Sequence, residues 1–143
     1  MVLQLSVLIP NKPGEFSKVV EIMSQENVNC LSVSTFDAKD FGVLHLIVNQ
    51  PQQLKKVLEE KDYRVLMIRT IAVRMEHKPG YMNRILQDMG QANINIEGLY
   101  SFMNQKDMQP VLVFRADDAY VVEAFLEGKG YYVYKTLEEL AGE

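Results

Sequence analysis

The chain has 143 residues, 48% of them apolar and 24% charged, which is an ordinary globular composition with length for one domain or two small ones. The formal net charge of -4 provides no basic surface for nucleic acid or anionic membranes, so we expect neither as a partner. The apolar start, MVLQLSVLIP, is too short to span a membrane and lacks a basic flank, so we interpret it as a strand in a cytoplasmic protein.

The first half of the chain predicts the order strand, helix, strand, strand, helix, strand. Leu5 and the alternate residues after it follow the pattern of a strand with one buried face. After Lys-Pro-Gly, apolar spacing of i, i+3, i+4, i+7 predicts an amphipathic helix. Its apolar members are Phe16, Val19, Val20 and Met23. Asn49 stands just before the second predicted helix and is a suitable cap.

The second half repeats this order. An offset of 66 superimposes the Lys-Pro-Gly triplets at 12–14 and 78–80, together with the first strands and first helices. Around position 104 the second copy gains two residues, the offset becomes 68, and the later elements coincide. Asp117 then stands where Asn49 stands. Residues 64–75 contain no glycine, proline or serine, so the last strand of one copy is predicted to run directly into the first strand of the next.

A β-α-β-β-α-β unit of about 65 residues is the ferredoxin-like arrangement, with a four-stranded antiparallel sheet and both helices on one face. We therefore predict an α+β chain of two tandem domains, 1–69 and 70–143, the second with a short C-terminal tail. The other face of each sheet is expected to be solvated or packed against a partner.

The glycine of each triplet, Gly14 or Gly80, has two interpretations. In one, the proline occupies the first helical position and the glycine only lets the chain turn. In the other, the N–H groups and positive dipole of the helix start bind a small carboxylate, which approaches closely because glycine has no Cβ. Asn29 and Asn95 each lie fifteen residues beyond a glycine, at a strand end from which they could reach a ligand held by a neighbouring domain.

This spacing of strand, Asn or His, Lys-Pro-Gly, amphipathic helix and Val/Ile-Asn resembles the ACT domain, a small regulatory module that binds amino acids. The resemblance implies two tandem ACT domains, at about 2–69 and 70–136, with a free amino acid at an interface between two such domains. The implied ligand-binding residues are Asn11, Lys12, Pro13, Gly14, Glu15, Phe16 and Asn29, and His77, Pro79, Gly80, Tyr81 and Asn95. Because the His77 imidazole hydrogen-bonds differently from an amide and can gain a charge, we expect unequal sites, with the first copy's loop the stronger candidate.

No catalytic, cofactor or metal site is predicted. His77 has no second histidine or cysteine at a metal-ligand spacing, and no phosphate-binding glycine cluster is present. We interpret His45 as a surface or hydrogen-bonded histidine rather than a ligand or base, and Cys30 as a small core residue. The leading hypothesis is a non-catalytic regulatory protein that, by resemblance, acts on a separate enzyme or regulator. The alternatives are a small enzyme whose Lys12 or Lys78 binds an anionic substrate, and a dimerisation module without a ligand.

The short connection between the copies also predicts a homodimer. If the two copies of one chain paired through their second strands, the strands that join the copies would lie about 29 Å apart, six spacings of about 4.8 Å. A connection of some three residues reaches only about 10 Å. We therefore expect such pairing between chains.

Overall fold

The chain folds into two units, and each unit has its own hydrophobic core. The computed structural model describes residues 1–141 and separates an N-terminal unit, Leu3–Ile68, from a C-terminal unit of residues 69–141 with the first two residues. Thr70 Oγ1 donates a hydrogen bond to the Val2 carbonyl at 2.6 Å, which places the start of the chain with the C-terminal unit. Positions 142 and 143 of the predicted second domain lie outside the described residues.

The N-terminal unit contains two helices and four strands. Its elements are β1 (Val2–Pro10), α1 (Glu15–Gln25), β2 (Cys30–Asp37), β3 (Phe41–Val48), α2 (Pro51–Glu60) and the first part of β4 (Arg64–Arg74). The strands lie in the order β2-β3-β1-β4, which leaves β2 at an edge. Leu5 of β1 faces Leu46 of β3, and both pack against Val19 and Leu54 of the two helices in one core.

The C-terminal unit has the same plan. It uses the second part of β4, then α3 (Tyr81–Gln91), β5 (Glu97–Met103), β6 (Pro110–Arg115), α4 (Ala119–Gly128) and β7 (Val133–Tyr134). The strand order is β5-β6-β4-β7, with β5 at an edge. Ile71, Ile85, Phe114 and Leu126 are fully buried in its core. The predicted α+β fold of two ferredoxin-like copies is confirmed, and β4 serves both copies without a break.

Both Lys-Pro-Gly triplets end before their helices begin. Gly14 and Gly80 are the N-cap residues, with φ of 84° and 86° in the left-handed region. The expectation that proline occupies the first helical position is therefore wrong. Pro13 and Pro79 precede the cap, because the chain reverses at the glycine and becomes helical only after it.

The predicted caps of α2 and α4 are each wrong by one residue. The N-caps are Gln50 and Asp118, and the Asp118 carboxylate accepts a hydrogen bond from a first-turn N–H at 3.2 Å. Asn49 and Asp117 lie one position earlier, because apolar stripes locate a helix but not its first residue. The Asn49 side chain instead accepts a hydrogen bond from the Asn29 N–H at 3.0 Å and so fixes the start of β2.

The predicted apolar stripe of α1 is only partly buried. Val19 and Met23 lie in the core, but Phe16 and Val20 are 40% and 51% exposed. The core instead takes Ile22, which lies beside Met23 in the sequence. The predicted stripe is therefore too wide, and its outer members, Phe16 and Val20, form an apolar surface on the helix.

Cys30 is exposed, so its assignment to the core is also wrong. The pairing of β2 with β3 shifts register between Cys30 and Ser32, which breaks the simple alternation of buried and exposed positions. The sulfur donates a hydrogen bond to the Ser32 carbonyl at 3.3 Å. Desolvation of the sulfur raises the pKa of the thiol, which keeps it in the weakly reactive protonated form.

Candidate functional site

The starts of α1 and α3 expose main-chain N–H groups. Neither N-cap glycine has a side chain, and no side chain in residues 1–141 caps either helix. A Cβ placed on Gly14 or Gly80 would meet nothing within 4 Å. The space beside each glycine is therefore open. The first N–H of each helix, that of Glu15 or Tyr81, donates to the carbonyl of the triplet lysine at 3.4 Å, so the anion-binding capacity of the helix start lies in the N–H groups that follow it and in the positive end of the helix dipole.

The backbone alone accounts for the two glycines. At a φ near 85°, an ordinary L-residue is strained, so Gly14 and Gly80 are required whether or not a ligand binds. Their presence does not distinguish a turn from a binding site. The uncovered space above them is the observation that a binding site requires.

In the N-terminal unit, the loop before the helix is tied to the hairpin that joins β2 to β3. Asn11 Nδ2 donates to the carbonyls of residues 38 and 39 at 3.2 and 3.5 Å, and its N–H donates to that of residue 40 at 3.2 Å. Lys12 and Pro13 are exposed. The Asn11 amide group is therefore a brace between loop and hairpin, which occupies the donor that ligand binding would use.

The two helix starts also differ in charge. Glu15, the first residue of α1, pairs with Lys18 at 3.2 Å and adds a negative charge to the first turn. The first turn of α3, all within the described part of the chain, carries no acidic residue. Beside it, Lys78 pairs with Glu76 at 2.7 Å, and this hydrogen bond and charge lower the pKa of the Glu76 carboxyl. The start of α3 is thus the more favourable of the two for an anion.

A cavity of 320 Å³ opens beside the second loop. Its lining residues are Met75, Glu76, His77, Lys78, Pro79, Met82 and Pro110. The volume is at the lower end of the range of about 300–1,000 Å³ for small-molecule sites. Met82 stands where the first copy has Phe16 and is 42% exposed. Polar groups thus line the loop side of this cavity, and two methionines and a proline line the rest.

Asn29 and Asn95 are exposed and lie at the far ends of α1 and α3 from the loops. Each helix has 11 residues, which corresponds to a length of about 16 Å. Within one unit, the structure therefore does not bring Gly14 to Asn29 or Gly80 to Asn95. Asn29 instead lines a separate cavity of 280 Å³ near the end of α1.

The Tyr81 side chain packs into its own unit. Its ring meets the Tyr131 ring edge to face at 6.0 Å, and the Arg84 guanidinium lies 5.1 Å from the Tyr131 ring. The Tyr131 hydroxyl donates to Asp88 at 2.6 Å, and burial together with this bond raises the pKa of Tyr131 to about 12. The Tyr81 ring is therefore a structural element. Its N–H also donates within the loop, to the Lys78 carbonyl at 3.4 Å.

The cavity residues Met75, Met82 and Pro110 were not among the predicted site residues. Both methionines matched apolar stripes, and Pro110 is distant from the loop in sequence. Pro110 reaches the cavity because its carbonyl accepts a hydrogen bond from the Met75 N–H at 2.8 Å. The available signal was the two-residue insertion just before Pro110, which marks a change in the hairpin next to the loop.

Other kinds of site find little support in the structure. His45 Nδ1 lies 2.8 Å from Ser6 Oγ and 3.0 Å from Gln4 Nε2, which identifies a hydrogen-bonded structural histidine. Across residues 1–141, no group of three or more His, Cys, Asp or Glu is arranged to hold a metal ion. In the same residues, none of the helices combines the length and apolar character that a membrane span needs.

Comparison with known proteins gives one family and several similar folds. A family model for the ACT domain pair matches residues 1–141. A protein from Bacteroides thetaiotaomicron has a structure with a TM-score of 0.86 at 26% identity, over 93% of this chain and 91% of that chain. The ligand-free regulatory subunit of aspartate kinase from Thermus thermophilus gives 0.63 at 14% identity, over 88% and 91%, which shows the fold alone. Comparison with curated proteins found no significant match.

Proposed function

Because the chain belongs to the family of ACT domain pairs, we propose that it is a non-catalytic regulatory protein that binds a free amino acid. In this proposal it acts in the cytoplasm by changing its association with a separate enzyme or regulator. A regulatory subunit of aspartate kinase is among the proteins that share its fold, which supports a regulatory role.

The observation that carries the proposal is the uncapped, uncovered start of α3 with a cavity beside it. The first-turn N–H groups that follow Tyr81 would bind the carboxylate of the amino acid, as helix N-termini bind anions. Met75, Met82 and Pro110 would contact its side chain. We propose the second loop as the main site, reversing the order favoured by the sequence, because in the first loop Asn11 is bonded to the hairpin and Glu15 adds a negative charge to the first turn.

The remaining part of the site would come from another domain. Asn95 and Asn29 are each a helix length away from the loop of their own unit, so they can complete only a site on a different domain. The edge strands β2 and β5 carry exposed apolar residues, including Val33 at 58% and Leu99 at 43%. Exposed edge strands readily pair with another chain. We therefore propose a homodimer in which an asparagine of one chain reaches the loop of the other.

Thermal unfolding in the presence of each of the twenty amino acids tests the proposal. An amino acid that binds the folded protein at one hundred times its dissociation constant adds about 2.7 kcal/mol of stability. We expect one chemical class of amino acid to raise the Tm. Gly80→Ala should abolish this shift, because a Cβ intrudes on the anion site.

Gly130→Ala is the matched control for that variant. Gly130 has φ of 90° and open space around it, so alanine there costs similar backbone strain at a different place in the same unit. Gly130→Ala should lower the Tm but keep the ligand-induced shift. If none of the twenty amino acids raises the Tm of the unaltered protein, amino-acid binding is ruled out, and a dimerisation module becomes the better interpretation.

A further inference from the structure

The end of the chain is tied to the hairpin that joins β5 to β6. We call residues 135–141 the terminal segment and residues 104–109 the hairpin loop. Asn104 Nδ2, fully buried in the loop, donates to the Glu139 carbonyl at 3.1 Å. Lys106 Nζ donates to the preceding carbonyl of the terminal segment at 3.0 Å. Two donors of the hairpin loop thus hold the main chain of the terminal segment.

The Glu139 carboxylate organises the terminal segment itself. One oxygen accepts from the Tyr132 hydroxyl at 2.8 Å, and the other accepts from the N–H groups of Lys135 and Thr136 at 2.5 and 3.2 Å. Burial opposes ionisation of this carboxyl, but these hydrogen bonds outweigh it and lower its pKa. The carboxylate therefore closes the turn and joins it to the side chain of Tyr132.

The hairpin loop is also held by a group of side chains that we call the clasp, made of Arg74, Asp107 and Tyr134. The Asp107 carboxylate accepts from Arg74 Nη2 at 2.8 Å and from the Tyr134 hydroxyl at 2.6 Å. The Arg74 guanidinium lies 4.0 Å from the centre of the Tyr132 ring. Tyr132 thus contacts the clasp through its ring and the terminal segment through its hydroxyl.

The clasp adjoins the cavity beside the second loop. Met75, which follows Arg74 in β4, lines the cavity and donates its N–H to the Pro110 carbonyl at 2.8 Å. Pro110 follows the hairpin loop directly and forms another part of the cavity wall. A displacement of the hairpin loop would therefore move the wall of the cavity.

The N-terminal copy has no such arrangement. The three positions equivalent to the clasp hold Leu8, Lys39 and Leu66, which cannot form it. That copy uses the Asn11 brace instead. Four features therefore occur together in the C-terminal copy: the clasp, the two-residue insertion, histidine at the position of Asn11, and the cavity.

We propose that the terminal segment is a latch for this cavity. Seated on the hairpin loop, it holds Pro110 in place and shapes the ligand site. Released, it frees the hairpin loop and loosens the wall. Ligand binding and seating of the latch then favour each other to the same extent, as linkage requires. The coupling between ligand binding and the latch rests on the proposed function. The holding of the hairpin loop by the terminal segment, which we call the mechanical half, does not.

Hydrogen exchange measured on the full chain without ligand tests the mechanical half. Glu139→Ala removes the acceptor that orders the terminal segment without touching the cavity. We expect the amides of the hairpin loop to exchange roughly tenfold faster, the effect of losing hydrogen bonds to a charged group. Glu139→Gln keeps an acceptor for Tyr132 and should restore part of the protection. Glu138→Ala, which removes the neighbouring charge, should leave the hairpin loop unchanged.

Faster exchange confined to the terminal segment, with the hairpin loop unaffected, would overturn the proposal and identify a passive tail. The coupling is then measured with whichever of the twenty amino acids binds. Glu139→Ala should weaken its binding roughly tenfold, and the ligand should slow exchange in the terminal segment. Equal affinity in both proteins would overturn the coupling but leave amino-acid binding intact. If the unaltered protein binds no amino acid, the proposed function and the coupling both fail, and exchange alone decides the mechanical half.

Discussion

The two copies share a core and differ where the hairpin meets the loop. Leu46 and Phe114 occupy equivalent positions, and both are fully buried beneath helices of the same pattern. Asn11, in contrast, bonds the first loop to its hairpin, whereas His77 lines a cavity between the second loop and Pro110. The comparison teaches that a repeated fold can keep its core while the surroundings of its two helix-start loops differ, in the length of one hairpin and in the residue that precedes Lys-Pro-Gly.

The largest loss of stability should come from substitutions in the two hydrophobic cores, which are the part that the copies share. Phe114→Ala should cost about 3–5 kcal/mol and Leu46→Ala about 2–5 kcal/mol, because each leaves a cavity in a fully packed core. Urea unfolding with residue-resolved hydrogen exchange measures both. Each variant should lose protection mainly in its own unit. A cost below about 1 kcal/mol for either would mean that the cores are not equivalent.

The second prediction concerns the side chains that hold each hairpin, and it is tested by lowering the pH. Burial opposes ionisation of Asp107, but hydrogen bonds from Tyr134, the Gln109 N–H and Arg74 hold its pKa below the ordinary value of 3.8. Glu139 is likewise held below 4.5. A lowered folded-state pKa gives stabilisation that is complete above the ordinary pKa and lost as pH falls through the folded value. The hairpin of the C-terminal unit should therefore begin to lose protection as the pH falls towards the ordinary carboxyl values of 4.5 and 3.8, and the loss should continue below them.

The hairpin of the N-terminal unit provides the comparison, because the amide group of Asn11 does not titrate. Protection factors of residues 38–41 should change less over the same pH range than those of residues 104–109. The expected effect is smaller than that of a core substitution but larger than that of one hydrogen bond, since the two carboxylates accept from six donors. Asp107→Asn should reduce the response of the second hairpin and leave the part that is due to Glu139. An equal response of both hairpins to acid would contradict the assigned role of the two carboxylates.

The sequence predicts the elements of both copies well, because apolar periodicity and a repeat at fixed offset are properties of the chain itself. It predicts helix starts less well, since Pro13 and Asn49 have the chemistry of helix-start residues but lie one or two positions away from the observed ones. The cavity depends on the contact between Met75 and Pro110, which are distant in sequence. The role of Asn11 was missed for the same reason, because its partners lie in the neighbouring hairpin.

The smallest effects should come from swapping the residues that differ between the two loops, Asn11 and His77. These variants test most directly why only the first loop is braced. Asn11→His removes the side-chain bonds to residues 38 and 39 and should cost about 1 kcal/mol, the net value of an ordinary hydrogen bond, with faster exchange in that hairpin. His77→Asn changes an exposed cavity residue and should alter stability by less than about 0.5 kcal/mol. Urea unfolding and hydrogen exchange measure both variants. His77→Asn could instead slow hydrogen exchange in residues 104–109 as strongly as Asn11 protects its own hairpin. An asparagine before Lys-Pro-Gly would then be sufficient to form the brace. We expect no such effect, because the second hairpin is already held by Arg74 and the terminal segment, and asparagine at position 77 would then be insufficient to form the brace.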